Sequence, residues 1–160
     1  MTAPDQKPLA AALGRIPSGL FVLTLQRDAV ETGMLASWVQ QCSFTPPGIS
    51  LAIQPGRDIA GYLTIGSQFT LNILDDTQSD MIAHFGRGFE RGQPAFEGLA
   101  VTRGESNGPI LEEALAFLTC RVTGRHSAGD HDLFVAEVVE GRMLSDGHSY
   151  VHLRRSGAHY

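Results

Sequence analysis

The sequence is short of lysine, cysteine, tryptophan and long apolar runs, and each shortage excludes a class of protein. Lys7 is the only lysine; the 12 basic residues face 17 acidic ones, for a net charge of −5. A surface of that sign does not, as a whole, attract nucleic acid or anionic lipid. The two cysteines, Cys42 and Cys120, sit in separate strand-like runs and form no Cys-x-x-Cys. A zinc or iron–sulfur centre therefore lacks its usual ligands, and no metal site is expected. The pair reads as buried free thiols in a reducing cytoplasm. No apolar run approaches the ~18 residues of a membrane span. The opening "MTAPDQKPLAAALG" has no long apolar core before a cleavage site, so neither signal peptide nor anchor is expected. Gly-x-Gly-x-x-Gly, a Walker loop, Gly-x-Ser-x-Gly and His-Glu-x-x-His are all missing, which removes the usual marks of Rossmann, P-loop, serine-hydrolase and zincin chemistry.

What is present is globular. Hydrophobic residues make up 42% of the 160 and charged residues 18%. That balance and length suit one domain over residues 1–160, able to bury roughly 70% of its unfolded surface. Residues 1–7 read as frayed, and Pro8 to Gly14 as a short helix. Strands are expected at 19–27, 33–43, 48–54, 68–74, 114–126 and 131–144, with a last one near 149–153. The "SAGD" between the two longest is a hairpin connection. A short helix follows "PGRD", with Asp58 as its N-cap and Gly66 as its stop. Another is expected at 77–86, capped by Thr77 and ended by Gly86. Many strands, two or three short helices and no regular strand–helix alternation argue for a mainly β, antiparallel barrel.

One stretch breaks the simple pattern. "GMLASWVQQCSFTPPGISLAI", Gly33 to Ile53, reads as two strands joined at Pro46-Pro47-Gly48, yet its first strand mixes hydroxyls, amides and an indole. Ser37, Gln41 and Ser43 share a face with Leu35 and Val39. In the second strand Ile49, Leu51 and Ile53 share one face, with Ser50, Ala52 and Gln54 on the other. The residues alone allow two readings: the solvent side of a half-buried sheet, or a shallow floor for a flat heteroaromatic ligand. "QPGRD" then leads into a helix N-terminus, where Arg57 is either a solvated surface arginine or a bidentate phosphate donor. "GDHDLF" is either a turn followed by a surface histidine, His131, or part of a site. His159 and Tyr160 stand at the chain end.

The order and spacing of "PSGLFVLT", "GMLASWVQQCSFTPPGISLAI", "FTLNIL", "HF", "GPILEEALAFLTCRV" and "GDHDLFVAEV" resemble the flavin reductase-like, FMN-binding split-barrel family. The resemblance runs from about Leu13 to Tyr160. "LASWVQQCSFTPPG" and the terminal "RRSGAHY" look most like the C-terminal flavin reductase module of cyanobacterial-type diflavin flavoproteins (flavodiiron proteins). The sequence carries neither the di-iron nor the flavodoxin domain of those fusions, so their oxygen- or NO-reducing activity is not expected of it.

The resemblance implies a Greek-key split β-barrel whose sites lie at a homodimer interface. It implies a flavin ring lined by Ala36, Ser37, Trp38, Gln41 and Ser43, with Cys42 packed beside Trp38 in the wall. Gln54, Arg57 and Asp58 would hold the phosphate, and His131 would face the ring and the nicotinamide. Trp38 stands where many free-standing reductases have a small polar residue. The implied activity is that of an NAD(P)H:flavin oxidoreductase: hydride passes from NADH or NADPH to FMN, with FAD as the other candidate. Electrons then go to free flavin, oxygen or an acceptor protein. The alternatives are a non-enzymatic FMN-binding electron-transfer module and an oxidase of the pyridoxamine-phosphate type.

Overall fold

A computed structural model describes residues 6–104 and 107–159. Tyr160 and residues 1–5 of the expected frayed end lie outside the described residues. In chain order the elements are α1 (Gln6–Leu13), β1 (Ser18–Gly19), β2 (Phe21–Arg27), β3 (Val30–Ala36), β4 (Val39–Phe44), β5 (Pro47–Ile53), α2 (Asp58–Tyr62), β6 (Gln68–Ile73), α3 (Ser79–Gly86), β7 (Val101–Thr102), β8 (Ile110–Leu111), β9 (Ala116–Ala128), β10 (His131–Met143) and β11 (Val151–His152).

Seven strands form one antiparallel sheet in the order β3-β2-β6-β9-β10-β5-β4. Its two edge strands, β3 and β4, are consecutive in sequence and separated only by Ser37 and Trp38. Six inter-strand spacings would span about 29 Å in a flat sheet. The three Cα–Cα steps from Ala36 to Val39 cover at most ~11 Å. The sheet must therefore curl until its edges approach, which makes it a split barrel. The expected single strand over 33–43 is thus two strands, broken at Ser37–Trp38 where the chain crosses the split. β9 and β10 form the expected hairpin, with the turn at Gly129–Asp130, where Gly129 takes φ 69° at no steric cost.

β2 shows how both faces are used. Val22, Leu23, Thr24 and Leu25 are all buried. Leu23 and Leu25 point inward and pack with Leu51, Ile53, Phe69, Leu71, Val122 and Phe134. Val22 points outward into a second core with Leu74, Met81, Phe85 and Phe96, beneath α3. The outward threonines meet main chain instead. Thr24 Oγ1 donates to the Pro109 carbonyl (2.6 Å) and Thr70 Oγ1 to that of Gly108 (2.8 Å), while Asn72 Oδ1 accepts from Leu111 N–H (2.8 Å). Buried polar groups need such partners, and these stitch segment 107–111 to the sheet.

The helices depart from expectation at their ends. α1 begins at Gln6, ahead of Pro8. α2 spans only Asp58–Tyr62, with Arg57 in the N-cap position and no side-chain cap. Asp58 is not the cap; its Oδ2 accepts the Arg91 N–H (2.8 Å). α3 starts at Ser79 after Gln78, because Thr77 Oγ1 donates to Asp75 Oδ1 (2.7 Å) rather than capping the helix.

Candidate functional site

The crossover between the sheet edges forms one wall of a cavity of about 240 Å³. Ala36, Ser37 and Trp38 contribute from the crossover, and Ile53, Gln54 and Arg57 from the end of β5 and the turn after it. Leu20, Met34, Leu35 and Ile82 supply apolar wall, and His152 and Arg154 close it from the C-terminal segment. The crossover is fixed by main chain: Ala52 N–H donates to the Trp38 carbonyl (3.0 Å), which extends the β4–β5 ladder up to the indole. Trp38 is half-buried. Its ring centroid is 4.7 Å from that of His131, and the Arg154 guanidinium carbon is 4.9 Å from the same centroid.

A second, more open cleft of about 990 Å³ adjoins the first, sharing Met34 and Arg57 with it. Asp58, His84, Arg87, Phe89 and Arg91 also line it. Arg57 stands at the boundary, and its Nη1 would be 3.2 Å from a Cβ built on Gly88. A pocket with apolar walls, a few convergent polar groups and an arginine at one end suits a flat heteroaromatic ligand carrying an anionic tail.

Five of the expected site residues therefore come together at one cavity: Ala36, Ser37, Trp38, Gln54 and Arg57. Asp58 lines the adjoining cleft, with one carboxylate oxygen already engaged. Gln41, Cys42 and Ser43 line neither space. They belong to edge strand β4, where Gln41 and Cys42 are exposed and the register slips between Gln41 and Ser43. That slip also breaks the expected shared face of Ser37, Gln41 and Ser43.

His131 does not line either space. It is 7% exposed and lies behind Trp38, with Nδ1 2.8 Å from Asp130 Oδ1. The imidazole, by hydrogen bond and charge, holds the Asp130 carboxyl below the usual carboxylate range. Burial pushes the Cys120 thiol up to about 12. Sequence reasoning missed Arg154. Its only sequence signal was the "RRSGAHY" resemblance, because a lone tail arginine has no periodicity to read.

Residues 13–158 match the family described as flavin reductase like domain. The chain is 38% identical over 154 residues to diflavin flavoprotein A 1 of Synechocystis, covering 95% of this chain and 27% of that protein. It thus spans about a quarter of the length of the curated relatives it matches. Among solved structures, the NADH:FAD oxidoreductase SgcE6 of Streptomyces globisporus C-1027 superposes with a TM-score of 0.82 at 24% identity, covering 89% of this chain and 85% of that one. The same protein in complex with NAD and FAD fragments gives 0.80 at 23% identity, over 92% and 86%.

Proposed function

This chain belongs to the flavin reductase-like domain family, and from that premise we propose that it binds FMN at the crossover cavity and oxidises NADH or NADPH there. The observation that carries this reading is the meeting of Trp38, Ser37, Gln54 and Arg57 around one cavity although they come from two strand edges and a turn. The donor set fits the ligand. Apolar walls from Leu20, Leu35 and Ile82 take a ring face, Ser37 and Gln54 offer edge hydrogen bonds, and Arg57 offers a phosphate fork. The cavity alone is below the ~300–1,000 Å³ usual for such ligands, and the cleft beyond Arg57 supplies the rest.

A bound flavin supplies hydride acceptance and onward electron transfer; the protein supplies binding and alignment. Trp38 forms the wall that fixes how the ring lies. His131, held by Asp130, acts through Trp38 as a positioning residue. No acid–base group is needed for hydride transfer, so alignment is the protein's main lever. Asp58 restrains the loop that bears Arg87 and Arg91 and so shapes the cleft next to Arg57.

The same reading makes the protein a cytoplasmic homodimer. β4 ends the sheet, and Phe44 at its tip is 87% exposed. A second copy over this edge would cover Phe44 and bring Gln41, Cys42 and Ser43 to the flavin site. Among the described residues no helix is long and apolar enough to cross a membrane. The electron acceptor is free flavin, oxygen or a partner protein.

The test is the absorbance spectrum of the purified, FMN-loaded protein before and after anaerobic NADH or NADPH. Bleaching of the flavin bands is the expected result. A protein that stays yellow and inert is an electron carrier, and one that ignores nicotinamide but oxidises pyridoxamine phosphate is an oxidase; either outcome overturns the reductase reading.

A further inference from the structure

The C-terminal segment is held as a strap across the cavity. At one end β11 pairs with β1, Ser18 opposite His152 and Gly19 opposite Val151. At the other, Gly157 N–H donates to the Ala10 carbonyl of α1 (2.6 Å). The packing between strap and α1 tolerates no side chain. A Cβ on Gly14 would sit 2.8 Å from the Arg154 carbonyl oxygen, and one on Gly157 would run into Leu13. α1 has no buried residues, so its contribution here is to anchor the strap. Between the anchors His152 and Arg154 reach the cavity lining.

Two guanidinium groups thus serve one small, largely apolar cavity, from different walls. Arg57 stands beside Gly88, and Arg154 lies over Trp38. Among the described residues neither has a carboxylate partner, as is true of most arginines of this chain, so both guanidinium groups are open to an anion. Arg154 is half-buried beside the apolar wall and Arg57 is exposed at the cavity's rim, so an anion held between them would meet two cations. Among the described residues no acceptor takes a hydrogen bond from the Arg154 guanidinium, whose carbon lies 4.9 Å from the indole centroid, so its N–H groups are available to a ligand. Both arginines line this one cavity, so a single ligand seated there and reaching past Arg57 into the adjoining cleft meets both.

We propose that Arg154 is a second anion-binding residue of this site, presented by the strap, and that with Arg57 it clamps the phosphate of a flavin mononucleotide. The inference rests on the flavin reading above.

The experiment compares FMN and riboflavin affinity, by quenching of flavin fluorescence, in wild type, Arg154→Ala, Arg154→Gln, Arg154→Lys and the exposed neighbour Arg155→Ala. Arg154→Ala is expected to lose about ten- to a hundredfold in FMN affinity, the range for one charge-assisted contact, with little change for riboflavin. Arg154→Gln, which keeps most of the length without the charge, should behave alike. Arg154→Lys should recover part of the loss, and Arg155→Ala should match wild type. Trp38 is the only tryptophan, so its emission in the flavin-free protein must change in Arg154→Ala if the contact exists in solution. Equal losses for both flavins, no loss, or unchanged Trp38 emission would each overturn the role of Arg154. Wild type that does not bind FMN better than riboflavin also overturns it. Wild type that binds neither overturns the flavin reading itself.

Discussion

The indole of Trp38 rests against the imidazole of His131, ring centroids 4.7 Å apart at 46°. Trp38 comes from the crossover between sheet edges, and His131 from the first position of β10. The contact ties the cavity wall to the hairpin turn at Asp130.

His131→Ala should slow anaerobic reduction of the FMN-loaded protein about ten- to a hundredfold, or ~1.4–2.7 kcal/mol, with a smaller effect on FMN affinity. It should also change Trp38 emission. Stopped-flow reduction at several NADH concentrations checks the first expectation. An unchanged rate and unchanged nicotinamide affinity would remove His131 from the site.

Arg57→Ala should narrow the preference for FMN over riboflavin by about ten- to a hundredfold. Arg142, whose guanidinium lies over Phe117, is the control. Equal narrowing by Arg142→Ala would place the phosphate site elsewhere.

Asn72→Ala should destabilise the fold by about 2–3 kcal/mol, because it strips the Leu111 N–H of its buried acceptor and the Val22 carbonyl of a donor. Urea unfolding monitored by far-UV circular dichroism measures it. A change below ~0.5 kcal/mol would mean that segment 107–111 holds without the network.

Cys42 is exposed and Cys120 buried. At pH 8 a thiol reagent should modify Cys42 quickly in the dissociated subunit and slowly once a second copy covers β4, and Cys120 only on unfolding. The folded pKa of Cys120 is raised from 9.0 to about 12. Its effect on stability is therefore constant below about 9 and becomes a loss as pH rises toward 12. The urea midpoint should fall over that window, less steeply in Cys120→Ala.

Light scattering should find a dimer, and Phe44→Asp should weaken it, since the substitution sets a charge into the face a second copy would cover. A wild-type monomer with full flavin occupancy would sink the shared-site reading.

Local pattern was enough to read the antiparallel class, the β9–β10 hairpin and the inward face of Ile49, Leu51 and Ile53, because alternation and turn residues act over a few neighbours. The crossover at Ser37–Trp38 was not legible. Nothing local distinguishes one strand from two when the break is set by curling of the whole sheet. Helix ends failed for two reasons: the Asp58 carboxylate was taken by Arg91 N–H, 33 residues away in sequence and brought near by folding, while Thr77 was taken by the local turn it makes with Asp75. That Gln54 and Arg57 line one wall follows from the short turn that carries both, since a motif a few residues long fixes its own geometry. That Arg154 would meet Trp38 could not be read this way, because that contact depends on β1, β11 and α1 closing over the cavity from opposite ends of the chain.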